Sequence, residues 1–558
     1  MMFWKYYNKT SWRYFMTKTN KRLSLFFKIF LIIFVAYIIR LSWIQLFTGP
    51  KLKQKAEQQR DYELTTSQGG TIFDRNMVPL TNKGTQKYIY TSLKTIKDNK
   101  DYQLYLLDKI KLSEEELDKY ISNTKNNMLK IPAKDNINNV KNGIIVDETK
   151  EYSENNLLTH VIGYVNENGV GIGIKKEYDS LLSKSNNTKL KVILDGKSRL
   201  LSSKDDYLEV NENNDTIRNS IQLTIDYNIQ QIVEEAMEEK EYKGAVIVTD
   251  VESGDILALT SQPDFDLNNI GDSNKEKDSE QMNRIIQVPY YPASTFKTVI
   301  LLSALEDGID LEQKFECNGS ITLAEGQEPF SCHDNVVHGE INLKEAFTVS
   351  CNSIFIELAN ILGGKKILET VERIGLTNKV DIDLDLDIEE KGEVSKLEKV
   401  LGPGIGNLAL GQEHIKLTPL QIHNLTMIIA NNGIKKDMSI IKGYATNKGD
   451  ISMQFEREND EWIFDRSYAE IIKDYMKSVV EVGTASNLDL SEYGGAAGKT
   501  GTAQKNNINN NGLFTGFSPS DNPKYAVTVI VEDIGHKYSS STAVEVFNKI
   551  IKKINLEK

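Results

Sequence analysis

Hydrophobic and polar positions are unevenly distributed along the chain, beginning at its start. Every charge from Met1 to Lys28 is basic, Ile29 to Ile39 carries none, and only Arg40 interrupts the apolar run that continues to Phe47. As one helix, Leu23 to Phe47 spans roughly 37 Å at 1.5 Å per residue, enough to cross a hydrocarbon core of about 30 Å. Lys28 and Arg40 lie near its ends, where long cationic side chains reach the polar interface. Gly49-Pro50 is a poor cleavage site for a signal peptide. The pattern predicts an uncleaved anchor with its basic end in the cytoplasm and everything after about residue 48 outside.

From Lys53 to about Asn219 the chain is rich in Lys, Asn, Asp and Glu, with short apolar patches. Ser113-x-x-Glu116 reads as a capping box opening a helix. Ser183 to Lys191 lacks a clear period and is expected to be a loop. From Ser220 the pattern is denser. Ile221 to Ile225 alternates like a strand, Asp226 is placed to cap a helix running to about Met237, and Gly244–Asp250 with Asp255–Thr260 reads as a hairpin around Ser253-Gly254. Strand-like runs recur at Gly512–Phe517 and Ala526–Val531, before a closing helix from about Ser541. Strands at both ends of a segment with helices between predict an α/β (α+β) domain built on an antiparallel sheet.

Length and charge add bounds. With 558 residues, 40% of them hydrophobic, the chain is too long for one core and too apolar to be disordered. A net charge of -12 argues against nucleic acid as a partner, because such a face must neutralise phosphates. The expected division is a cytoplasmic tail at 1–22, a membrane helix at 23–47, a mixed domain at 48–219 and a larger domain at 220–558.

The chemistry lies in the larger domain. Tyr291-Pro292-Ala293-Ser294-Thr295-Phe296-Lys297 precedes an apolar helical run that stops near Gly308. A helix beginning near Pro292 puts Ser294 and Lys297 on one face of its first turn. There a lysine of lowered pKa can deprotonate the serine, and the N-terminal amides can stabilise an oxyanion. Ser-x-x-Lys alone is weak, since Ser122 to Lys125 and Ser439 to Lys442 repeat it as solvated helix or loop residues. The copy at Ser294 has company: Ser350-Cys351-Asn352 follows, then Lys499-Thr500-Gly501-Thr502 ahead of the last strands. In that order these are the motifs of serine acyl-transfer in penicillin-binding proteins and serine β-lactamases.

On these residues the chain resembles the class B penicillin-binding proteins, the monofunctional peptidoglycan transpeptidases. Gly70-Thr71-Ile72-Phe73-Asp74-Arg75-Asn76 and His160-Val161-Ile162-Gly163-Tyr164 are similar to signatures of the family's pedestal domain, as are Leu410-Gly411-Gln412 and Phe514-Thr515-Gly516-Phe517 to segments of its catalytic domain. Gly69-Gly70 stands where the family has Arg-Gly, and Gly173-Ile174-Lys175 where it has Gly-Ile-Glu. The resemblance implies a serine transpeptidase/β-lactamase-like fold with a helical subdomain, carried on an elongated pedestal (dimerisation-like) domain. It also implies that Ser294 attacks the penultimate D-Ala carbonyl of a stem pentapeptide while Lys297 takes its proton. Ser350 relays a proton to the leaving amine, Asn352 orients Lys297 and the substrate amide, Lys499 supplies positive potential, and Thr500 and Thr502 bind the substrate carboxylate. The amides of Ser294 and Thr502 form the oxyanion hole, with small Gly501 allowing close approach. β-Lactams are the expected inhibitors, no catalytic cofactor is needed, and the expected partner is a membrane glycan polymerase of the SEDS type. The alternative reading is a non-catalytic β-lactam sensor or scaffold of the same fold.

All three cysteines fall within one short window. Cys317, Cys332 and Cys351, with His338, are a complete tetrahedral Zn²⁺ donor set, and Asp334 is a substitute ligand. The intervening lengths of 14, 5 and 12 residues match no short zinc motif; a Cys317–Cys332 disulfide with Cys351 free is the competing expectation for an external domain, and three unlinked thiols are the remaining alternative. His160, His414, His423 and His536 are expected to be structural or surface groups.

Overall fold

The computed structural model describes the chain except residues 1–3, 54–60, 125–126, 134–136, 154–155, 167–168, 185, 195–199, 201–207, 212–217, 269, 271–279, 386, 458–459, 505–508, 536–538 and 558. The basic tail and the apolar run form one helix, α1 (Trp4–Trp43), continued by a π-helical turn at Ile44–Thr48. Within it, Asn20–Lys53 is the one span among the described residues long and apolar enough to cross a membrane. Its Phe, Ile and Leu side chains are exposed, as a lipid-facing helix requires.

The rest forms two compact units. The smaller takes residues 1–67, 86–148 and 187–213; the larger takes 68–85, 149–186 and 214–558. They interleave along the chain instead of meeting at 219/220, because Ile72-Phe73 pairs in parallel with Ile221-Gln222. The Asp74 carboxylate strengthens that join, accepting from the amides of Asn76, Val78 and Tyr227. Lys175, in the variant Gly-Ile-Lys triplet, is buried and ion-paired to Glu151.

In the smaller unit a three-stranded sheet (Met128–Ala133, Gly84–Ser92, Gly143–Lys150) and the helices Lys100–Ile110 and Glu114–Asn123 enclose Ile89, Leu106, Leu117, Leu129 and Ile131. The Ser113–Glu116 capping box is present. The loop expected at 183–191 is instead largely strand: Asn186–Ile193 pairs antiparallel with Leu208–Asn211. Its alternation becomes visible only at its end, where Val192 and Leu194 are buried, and strand pairing supplies what local propensity lacks.

The larger unit follows the predicted pattern closely. Asp226 caps α2 (Tyr227–Glu238), accepting from the amides of Asn228 and Ile229. The predicted hairpin is β1 (Gly244–Asp250) with β2 (Ile256–Gln262). Next come the helices α3 (Lys297–Glu306), α4 (Asn352–Arg373), α5 (Pro419–Ala430) and α6 (Arg466–Glu481). The chain closes with β3 (Ala497–Gln504), β4 (Asn509–Ser518), β5 (Tyr525–Gly535) and α7 (Ser539–Leu556). The five strands are antiparallel in the order β2-β1-β5-β4-β3, so β3 is the end strand of the sheet among the described residues. Helices α2 and α7 cover one face, with Phe514 against Phe547, and α5 and α6 cover the other. Fully buried His423 ties α5 to the sheet through the hydroxyls of Thr249 (2.8 Å) and Thr528 (2.9 Å). His160 is also buried, and His414 meets Ser395; His536 lies outside the described residues.

Candidate active site

Pro292 begins a tight turn. Residues Ala293–Phe296 form a 3₁₀ turn before α3, so Ser294 lies outside the α-helix proper. In a 3₁₀ turn residues i and i+3 share a face, which puts Ser294 and Lys297 on one side of the turn, while the Lys297 amine bonds Ser350 and Asn352. Lys297 is fully buried, whereas Ser294 is partly exposed. Ala293 is held at φ +50°, a strained conformation for a residue with a Cβ.

The neighbouring segment of chain holds that turn. The Ala293 amide donates to the Gly411 carbonyl (3.0 Å), and Gly411 sits at φ +63°, where a Cβ would lie 2.3 Å from the Ala293 oxygen. Next to it, the Gln412 side-chain amide donates to the Thr502 carbonyl (3.4 Å). Gly411-Gln412 therefore bridges the turn and edge strand β3, the two elements that would supply the oxyanion amides. Gly501 permits the same approach from the other side: a Cβ there would meet the Pro292 oxygen and the Thr295 methyl at 3.2 Å.

Ser350 joins the two lysines. Lys499, from β3, donates to Ser350 Oγ (2.9 Å); Lys297 donates to the Ser350 carbonyl (2.8 Å), to Ser350 Oγ (3.3 Å) and to Asn352 Oδ1 (2.8 Å). Ser350 is itself at φ +54°, between the short helix Leu343–Thr348 and α4. The Phe355 and Phe347 rings lie 5.5 Å from the Lys297 and Lys499 amines and help to exclude water. Burial lowers the Lys297 pKa from 10.5 to about 7, even though the nearby Cys351 and Cys332 thiols act in the opposite sense. Burial, and then the Lys297 charge, push Lys499 well below the usual lysine range. Burial therefore makes a neutral Lys297 amine accessible near pH 7, three residues along the chain from the partly exposed Ser294.

The other two Ser-x-x-Lys copies do not join this cluster. Ser122 is exposed and donates to the Lys119 carbonyl, and Lys125 lies outside the described residues. Ser439 is not solvated as expected but buried, with its hydroxyl bonded to Asp383 and Ile441. Two contacts went unforeseen, the Gln412 bridge and a hydroxyl pair between Thr484 and Thr500 (2.6 Å). The first had a motif to point at it, whereas Thr484 had none.

Behind Ser350, Cys317 Sγ lies 3.7 Å from Cys332 Sγ and 3.2 Å from His338 Nδ1, and Cys332 Sγ lies 3.7 Å from Cys351 Sγ. The four donor atoms all fall within 4.8 Å of one another. Cys332 is drawn toward the thiolate by hydrogen bonds from Cys351 and Ser353, and Cys351 correspondingly keeps its proton. His333 is exposed beside Asp334, away from the group. Asn352 connects the cluster to the catalytic cleft: its amide donates to the carbonyl of Ser331, the residue before Cys332 (2.9 Å).

The three motifs thus come together around the 3₁₀ turn of Ser294 beside the end strand of a five-stranded antiparallel sheet. The family described as the penicillin binding protein transpeptidase domain matches residues 244–552, and the chain belongs to it. Among curated proteins it is 25% identical to the peptidoglycan D,D-transpeptidase MrdA of Acinetobacter baumannii, over 93% of this chain and 85% of that protein. It is 27% identical to stage V sporulation protein D of Bacillus subtilis, over 92% and 82%. The fold is shared with a D,D-transpeptidase domain from Eggerthella lenta (TM-score 0.63, 22% identity, 88% of this chain and 99% of that one). It is shared too with Pseudomonas aeruginosa PBP2 in complex with WCK 5153 (TM-score 0.61, 22% identity, 88% and 96%).

Proposed function

We infer that this chain is a membrane-anchored peptidoglycan D,D-transpeptidase. The observation that carries the reading is the convergence of Lys297 and Lys499 on Ser350, with Asn352 accepting from Lys297, beside the Ser294 turn. Ser294 Oγ attacks the penultimate D-Ala carbonyl and gives its proton to Lys297. The tetrahedral oxyanion is held by the Ser294 and Thr502 amides. As the C–N bond breaks, Ser350 passes a proton to the departing D-Ala amine, and an ester to Ser294 remains. An amine of a neighbouring stem then attacks that ester, forming the cross-link and returning the proton to Ser294. Thr500 and Thr502 hold the terminal carboxylate with Lys499. A β-lactam enters the same path and stays as the acyl-enzyme.

Ser294→Ala removes one hydroxyl, so it should abolish covalent labelling by a fluorescent penicillin without altering the melting temperature. Drug found by mass spectrometry on the variant, or on Ser122 or Ser439 of the parent, would refute the assignment. A non-catalytic sensor of the same fold would label at Ser294 but would not transfer the acyl group from a D-Ala-D-Ala peptide to an added amine. In this reading the pedestal is drawn from residues 48–219, of which 68–85 and 149–186 fold with the larger unit, and 220–558 form the transpeptidase domain. The N-terminus is cytoplasmic, and the glycan comes from a membrane polymerase of the SEDS type.

Cys317, Cys332, His338 and Cys351 are proposed to hold one structural Zn²⁺. With Zn–S bonds of about 2.3 Å, a tetrahedron has S–S edges of about 3.8 Å, close to the two 3.7 Å separations here. Bound there, the metal would fix the loop that supports Asn352 and supply no chemistry to the reaction.

A further inference from the structure

We propose that Thr484 is a positioning residue for the substrate carboxylate, acting through Thr500. The inference rests on the reading of Thr500 as a carboxylate ligand and adds a residue outside all three motifs. Thr484 follows α6 by three residues and is itself exposed, whereas Thr500 on β3 is buried beside Lys499. Their hydroxyl oxygens are 2.6 Å apart, and either could be the donor.

The loop carrying Thr484 is held against the Ser350 segment. The Thr484 amide approaches the Thr348 carbonyl (3.4 Å), and a Cβ on Gly483 would stand 2.3 Å from that same oxygen. On the helix side, the Ala485 amide donates to the Val479 carbonyl (3.0 Å). Thr484 is thus fixed relative to both Ser350 and β3.

A hydroxyl has one proton to donate and two lone pairs to accept with, and a carboxylate only accepts. When a carboxylate takes the Thr500 proton, the pair has one remaining arrangement: Thr484 donates to Thr500, and Thr500 donates to the carboxylate. Hydrogen bonds in such a chain polarise one another, and those ending on a charged oxygen are the strong ones. Without the Thr484 hydroxyl, Thr500 loses the donor that sets its direction. A ligand with no carboxylate makes no use of this chain.

The test measures acylation by a β-lactam with a free carboxylate and by its methyl ester, in the full-length protein and in Thr484→Val, Thr484→Ser and Thr500→Val. Thr484→Val should slow acylation by the acid about tenfold, as expected for one lost hydrogen bond in a charge-assisted chain. The ester rate should stay within about twofold of the parent's, and Thr484→Ser should restore the acid rate. If Thr484→Val does not fold, Thr484→Ala is read in the same way. Equal losses for acid and ester would make Thr484 a structural latch and overturn the inference. If Thr500→Val discriminates acid from ester and Thr484→Val does not, Thr484 alone is misassigned. If neither variant discriminates, the carboxylate reading of Thr500 falls with it.

Discussion

Acidification should switch off acylation by reprotonating one buried amine. Lys297 is drawn from 10.5 to about 7, a shift worth about 5 kcal/mol at 1.36 kcal/mol per unit, and the group is fully buried, so solvent screening does not reduce it. A base titrating at about 7 is about 9% neutral at pH 6, about half neutral at pH 7 and about 90% neutral at pH 8; an unshifted lysine would be neutral in about 0.03% of molecules at pH 7. The second-order acylation rate of a chromogenic β-lactam, followed by stopped flow from pH 5.5 to 8.5 at constant ionic strength, should rise with a slope near one and level off above pH 7. Lys297→Arg keeps the charge and the donors toward Ser350 and Asn352 but cannot deprotonate in this range. Its acylation should fall at least about a thousandfold and lose the pH profile. A flat profile in the parent, or an arginine variant with a tenth of parental activity, would refute Lys297 as the base. Stability moves in the same direction, in a higher window. Because the folded value lies below the unfolded one, the unfolded chain binds the extra proton between about pH 7 and 10.5, so this group's penalty is full below pH 7 and disappears as pH rises through that window.

Two further outcomes are expected. Protein purified without added metal should contain about one zinc per chain, and its removal by a chelator should lower both the melting temperature and the acylation rate, because a ligand of the native state adds stability; zinc-free protein with a mass two units below the reduced value would establish the disulfide instead. Protease added to intact protoplasts should digest the domain that follows α1, whereas digestion only after lysis would place that domain in the cytoplasm and remove the peptidoglycan reading.

What could be read from sequence was what is local. The Ser113 and Asp226 caps, the Ser253-Gly254 hairpin and the turn ahead of α3 each depend on residues within a few positions of one another. The strand at Asn186–Ile193 was missed because its partner lies beyond it in the chain, and the interleaving of the two units because Ile72 pairs with Ile221. The three motifs named Ser294, Lys297, Ser350, Asn352 and Lys499, but not how they meet. That both lysines reach one Ser350 hydroxyl follows from the edge position of β3 and the left-handed backbone of Ser350. Thr484 has no motif because its role depends on a contact across the fold. Ser439 shows the converse, a motif match without the tertiary context that would make it reactive.

The expectation that Lys499 simply supplies positive potential changes once its burial is known. Two buried amines meet the same hydroxyl, and a charge on one disfavours a charge on the other. In the proposed binding mode, a substrate carboxylate at Thr500 and Thr502 would alter that balance, since an opposite charge nearby favours the protonated form of Lys499. A charged Lys499 in turn disfavours a proton on Lys297, which is the form a general base requires. Ser350 lies between the two amines with one proton and two lone pairs, so it can pass a proton in either direction without moving. On the proposed mechanism, binding the correct end of the stem peptide thereby prepares the base that deprotonates Ser294. The cost falls on stability, because a buried amine at each position is a worse neighbour for Phe347 and Phe355 than an apolar side chain would be.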